Sequence, residues 1–148
     1  MTTAANKAVV RRYFEDVLDG GQASLVAELF ASDCVVHRPE LPEPLVGREQ
    51  VTAYASARPR AYSHSVTSFE HVIAEGDLVA VRLRHEVTYR ADWQSRAGKI
   101  AAVGKSITWT ANVFFRIRDE MIVEEWVERD EAGMLQQLGA LPGPDRAR

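Results

Sequence analysis

The chain has 148 residues, 46% of them hydrophobic, with 18 Lys and Arg against 21 Asp and Glu for a net charge of -3. That length suits one globular domain, and the acidic balance argues against a nucleic-acid surface, whose footprint is clustered Lys and Arg. No stretch approaches the roughly 20 apolar residues of a membrane span, and MTTAANKAVVRRYF lacks the apolar segment of a signal peptide, so a cytoplasmic protein is expected.

In chain order, Val10, Phe14, Val17 and Leu18 fall at the spacing of one helical face and predict a first helix, closed by Gly20 and Gly21. SLVAELFASD reads as a second, shorter helix with Leu25, Leu29 and Phe30 inward. CVVH is a short strand, and PELPEPLVG is a rigid loop whose prolines support neither ladder nor helix. Gly47 to Ser56 is a third helix, stopped by Pro59. Cys34, the single cysteine, lies in an apolar run and reads as a small buried hydrophobe; it allows no intrachain disulfide.

From Ser65 the period changes to two. VTSFEHVIA, the turn EGD and LVAVRLRHEVTYR describe a hairpin, with Val79, Val81, Leu83, His85, Val87 and Tyr89 on one face of its second strand. A polar loop around 92–98 leads to the long strand KSITWTANVFFRI. RDEM turns into the closing strand MIVEEWVERD, and EAGMLQQLGALP forms a final helix. Helices first and a meander later indicate α+β, with helices on one face of a curved, mostly antiparallel sheet. The chain is expected to be one domain over residues 1–148, with about 142–148 a flexible tail.

Several side chains are candidates for chemistry. Asp130 ends the last strand, where it could aim into a pocket or, equally well by residue type, cap the following helix. His85 and Tyr89 share the apolar face of a central strand and could hold a carbonyl or donate to an enolate. Tyr13, Phe14, Tyr54, Trp93, Trp109 and Trp126 could line a site for a flat ligand, with Asn112 as a donor on the long strand. Glu124, Glu125 and Glu128 read as strand-edge or interface charges facing Arg82 or Arg84, and Trp126 as packing beside the cavity. Arg116 could take part only if it points inward, which its alternation with Phe115 and Ile117 leaves open. No H-x-H or H-x-x-x-H pair, phosphate-binding glycine loop or G-x-S-x-G occurs, so metal, nucleotide and acyl-enzyme chemistry are disfavoured.

The segments VVRRYFEDVLDGG, LFASDCVVHRP, AEGDLVAVRL and FFRIRDEMIVEEWVERDEAGMLQQLGALP follow one another in an order that resembles the SnoaL-like polyketide cyclase family. W-x-x-x-D followed by L-x-Q-L-G is the most specific part. That family belongs to a superfamily of cone-shaped proteins with ketosteroid isomerase, scytalone dehydratase and nuclear transport factor two. The resemblance implies a cone-shaped α+β barrel around a one-ended apolar pocket, and a homodimer through the outer sheet face. It implies a hydrophobic small-molecule substrate, no cofactor and aldol-type cyclisation or a related isomerisation, with Asp130 at the acid/base position and His37 of VVHRP near the pocket rim. Hydration of an epoxide-like substrate and a non-catalytic binding module are the alternatives. Where many relatives carry Gly-Thr-His, this chain has Val87-Thr88-Tyr89, and in place of Pro-Pro-Thr-Gly it has Ser95 to Gly98.

Overall fold

The computed structural model describes residues 2–143, so most of the expected tail lies outside the described residues. Helix α1 (Thr3–Arg12) starts where the Thr2 hydroxyl accepts from the Ala5 N–H at 3.0 Å. It runs on as a π-helical segment over Tyr13–Asp19. That wider turn buries Tyr13, Phe14, Val17 and Leu18 together, and at roughly 1.5–3 kcal/mol for each fully buried apolar side chain it docks the helix firmly.

The second predicted helix is shorter than its sequence suggests. A 3-10 turn (Ala23–Leu25) and α2 (Val26–Leu29) give way at Phe30 to strand β1 (Phe30–His37). Phe30 pairs with Ile122 and is wholly buried, so the sheet overrides the local helical spacing of FASD. The proline loop holds a two-residue strand, β2 (Leu45–Val46). Helix α3 (Arg48–Ala61) continues past the expected stop, with Pro59 inside its last turn. There the ring removes one hydrogen bond only.

Strands β3 (Tyr62–Glu75) and β4 (Leu78–Tyr89) form the predicted hairpin. The expected polar loop at 92–98 is instead a small hairpin of β5 (Trp93–Ser95) and β6 (Gly98–Ile100). Strand β7 (Ser106–Arg118) turns into β8 (Met121–Arg129) through Asp119 and Glu120, both at positive φ (51° and 59°), as a tight hairpin requires. Helix α4 (Glu131–Gln137) follows. The main sheet runs β2-β1-β8-β7-β4-β3 and is antiparallel except where β1 joins β8 in parallel. It is a curved, mixed sheet that does not close; β2 and β3 are free edges.

Between Arg116 and Ile117 of β7 the register with β8 shifts: Arg116 faces Glu124 and Ile117 faces Ile122, leaving Val123 over. This bulge reverses which side chains point inward along β8. Ile122 is buried, and beyond the bulge Glu125, Val127 and Arg129 face the concave side, with Glu124, Trp126 and Glu128 outside. The core is two apolar clusters, one under α1 and α3 and one against α4. On β4 Leu83 belongs to the first and Val87 to the second, with His85 between them.

Candidate functional site

At that junction a cavity of about 20 Å³, enough for one water molecule, lies within the concave sheet. Phe14, Leu18, Trp109, Ala111, Val113 and Val127 make its apolar wall; Arg38, Arg58, His85, Glu125 and Arg129 supply its polar groups. Arg58 and Arg129 also line a larger outer pocket of about 230 Å³ with Glu40, Tyr54, Tyr62 and Trp93. The inner space is a narrow chamber and the outer one a roomier pocket, the vestibule, and the Arg58 and Arg129 side chains line both.

Glu125 is placed by its strand. It sits between Phe115 of β7 and Val36 of β1, is 1% exposed, and its Oε1 has no hydrogen-bond partner among the described residues. Burial raises its pKa to about 7; Arg38 pulls it down and Glu40 pushes it up. A carboxyl group held near neutrality can both take and return a proton. Glu40 is the contrasting acid. Burial alone would raise it, but Arg38 and Arg129 outweigh that, and its pKa is lowered. It accepts from Arg38 Nε and from the Tyr54 hydroxyl (3.3 Å), and pairs with Arg129 at 3.7 Å. Arg129 also reaches Glu131 at 3.7 Å, which Arg96 holds at 3.0 Å.

His85 is 6% exposed and its Nδ1 lies 3.0 Å from the Thr67 hydroxyl. Burial, with Arg58, Arg38 and Arg129 nearby, pushes its pKa well below the usual value, so the ring is neutral. Phe14 and Trp109 flank it, with ring centroids 6.0 and 5.1 Å away.

The other sequence candidates divide between the two faces. Asp130 is exposed at the N-terminus of α4, where it accepts from the Gly133 N–H at 2.9 Å; of the two roles open to it, the structure displays the cap. His37 lies outside the cone, 2.7 Å from Glu124 and stacked on Trp126 at 5.7 Å. Trp126 is thus on the outer face and does not pack beside the cavity. Asn112 is also outside, accepting from Arg82 at 3.2 Å. Arg116 points outward and binds both Asp77 oxygens at 3.0 and 2.9 Å, so it activates nothing inside. Tyr13 packs edge-on to Phe30 at 4.9 Å, and Tyr89 lies beside Tyr62 in the second cluster. Tyr54 and Trp93 line the vestibule, Phe14 and Trp109 the inner chamber.

Sequence reasoning missed Arg38, Glu40, Arg58 and Arg129, and gave Glu125 to an interface. The available signal was Glu125, Val127 and Arg129 at alternate positions of one strand, with Arg38 and Glu40 flanking Pro39. Among the described residues no group of three or more His, Cys, Asp and Glu could hold a metal ion, and no helix is long and apolar enough to cross a membrane.

Residues 8–138 match the SnoaL-like polyketide cyclase family. No curated protein matches the sequence significantly. Among solved structures, TsrD from Streptomyces laurentii superposes with a TM-score of 0.80 at 18% identity, covering 95% of this chain and 99% of its own. IdmH from Streptomyces antibioticus gives 0.72 at 25% identity, covering 90% and 98%. A protein with a ketosteroid isomerase-like fold from Catenulispora acidiphila gives 0.72 at 15% identity, covering 90% and 93%. These neighbours share the cone-shaped fold, and with the family match spanning most of its length, the chain belongs to the SnoaL-like polyketide cyclase family.

Proposed function

We propose that the chain is an acid/base enzyme on a hydrophobic carbonyl compound, of the cyclase type, with Glu125 as the group that moves the proton. The observation that carries this reading is the buried Oε1 of Glu125, unpartnered beside a cavity, on a carboxyl group whose pKa is raised to about 7. In the carboxylate form it takes a proton from the carbon next to a carbonyl. The enolate attacks a second carbonyl of the same molecule to form the new C–C bond, and the alkoxide recovers the proton. Arg38, Arg58 and Arg129 supply the positive field for the developing oxyanion. The vestibule receives the body of the substrate, between Tyr54, Tyr62 and Trp93. IdmH, described as a candidate polyketide cyclase, lends the reading support by similarity.

The test is deuterium exchange next to the carbonyl in a panel of aryl methyl ketones and β-keto esters in D2O. Wild-type protein should exchange at least one of them and Glu125→Gln none. Equal exchange by both proteins removes the assignment to Glu125, and exchange no faster than in the absence of protein leaves a binding module.

A second reading, addition of water, is favoured by one observation. Arg38 pairs with Glu40 and also bears on Glu125, a carboxylate–arginine–carboxylate set beside a chamber of one-water size. Incorporation of oxygen from labelled water into a product would select it over cyclisation.

The same proposal includes a homodimer through the outer sheet face. In support, Ile73, Ala80, Phe114 and Trp126 form a continuous cross-strand row there, with Ile73 65% and Phe114 50% exposed.

A further inference from the structure

Asp19, at the end of the π-helical segment, accepts three hydrogen bonds. Its Oδ1 accepts from Ser65 Oγ at 2.8 Å and from Thr67 Oγ1 at 3.1 Å, and its Oδ2 accepts from the Thr67 N–H at 2.7 Å. Behind Ser65, Arg58 Nη2 donates to the Ser65 hydroxyl at 3.2 Å. Behind Thr67 stands His85 Nδ1 at 3.0 Å. A carboxylate can only accept, and each hydroxyl has one proton to give. The charge-assisted bond to Asp19 claims the Thr67 proton, since it is the stronger of the two on offer. Thr67 Oγ1 is then an acceptor toward His85, and the ring proton must sit on Nδ1.

We propose that Asp19, acting through Thr67, is a positioning residue that fixes His85 as the Nδ1–H tautomer, so that the inner chamber meets its ligand with a bare Nε2 and selects a hydroxyl donor over a carbonyl or ether oxygen. The ring's neutrality, enforced by burial and by Arg58, Arg38 and Arg129, is consistent with this. The polar groups of the chamber then divide by type. The arginines donate, Glu125 exchanges a proton, and His85 accepts. A ligand satisfying all three carries a hydroxyl group close to a carbonyl, as a β-hydroxy or phenolic carbonyl compound does. The choice of ligand rests on the chamber being the reaction site; the tautomer does not.

The test is long-range proton–nitrogen correlation NMR on protein with labelled histidine, at neutral pH. In wild type, His85 Nδ1 should appear protonated and Nε2 unprotonated. A proton on Nε2, or an imidazolium, overturns the proposal. Thr67→Val, near in shape but without the hydroxyl, should release the ring to the Nε2–H form or a mixture; an unchanged tautomer overturns the role given to Asp19. Asp19→Asn offers a second route, since an amide N–H facing Thr67 sends the hydroxyl proton to Nδ1 and inverts the tautomer. Methanol and dimethyl ether, chosen because the chamber is of one-water size, then probe ligand choice: methanol should shift the Nε2 resonance and dimethyl ether leave it, and any other pattern overturns the hydroxyl preference. Because these readouts need no turnover, they stand or fall separately from Glu125→Gln in the exchange assay.

Discussion

Glu125 and Asp130 lie on one short stretch of chain yet on opposite sides of the sheet, the first 1% exposed inside the cone and the second open to solvent at the start of α4. Their substitutions should separate cleanly. Glu125→Gln is expected to abolish exchange next to a carbonyl and leave the melting temperature no lower. Asp130→Ala is expected to keep exchange and cost about 1 kcal/mol through loss of the cap, read by urea unfolding. Loss of exchange in the alanine variant, with stability intact, would return the acid/base role to Asp130.

Stability should depend on pH through Glu125. Its folded pKa, about 7, lies above the ordinary 4.5. Between those values the folded chain holds a proton that the unfolded chain has released, so stability falls as pH rises through that window. Glu125→Gln removes the dependence, and its advantage over wild type should grow from nothing near pH 4.5 to at most about 3 kcal/mol at pH 8. Thermal melts across that range decide the matter; parallel curves would mean that Glu125 titrates normally. On the same basis, exchange by wild type should rise with pH through about 7.

Arg129 holds two acids at once, Glu40 and Glu131, at 7% side-chain exposure. Arg129→Leu leaves Glu40 to Arg38 and Glu131 to the exposed Arg96 alone, and should cost about 3 kcal/mol, where replacing an exposed arginine such as Arg84 costs almost nothing. Chemical denaturation compares the two directly. Near-equal losses would mean that the Arg38 contact alone satisfies Glu40.

If the outer row built around Phe114 is a dimer surface, Phe114→Glu should give a particle of 16.5 kDa by light scattering where the wild type gives twice that. A wild-type chain already at the single-chain mass rules the interface out.

The order of elements was legible because it rests on local spacing. The buried row Val79, Val81, Leu83, His85, Val87 and Tyr89 follows strict alternation, and the structure keeps every member of it inside. What escaped was non-local. Phe30 to Asp33 reads as helix until β8 is present to pair with it. On β8 itself, alternation counted from the buried Ile122 puts Glu124, Trp126 and Asp130 inside. The surplus residue at Val123 reverses that count, and its cause is the register against β7 rather than any turn signal in MIVEEW. The arginines were missed for another reason. Arg38, Arg58 and Arg129 come from separate elements and acquire meaning only when the fold converges them on one chamber.

The π-helical segment carries a consequence of a different kind. Its wide turn sets the rotation at which the first helix delivers Asp19 to the strand bearing Ser65 and Thr67. A regular α-helix over the same residues would deliver Asp19 at another rotation, because its turn closes on about 3.6 residues and the π-helical turn on more. Asp19, Thr67 and His85 would all still be present, and the path between them would be broken. The winding of this segment matters to the site as much as the residues it carries, and a site can be lost with all of its side chains intact.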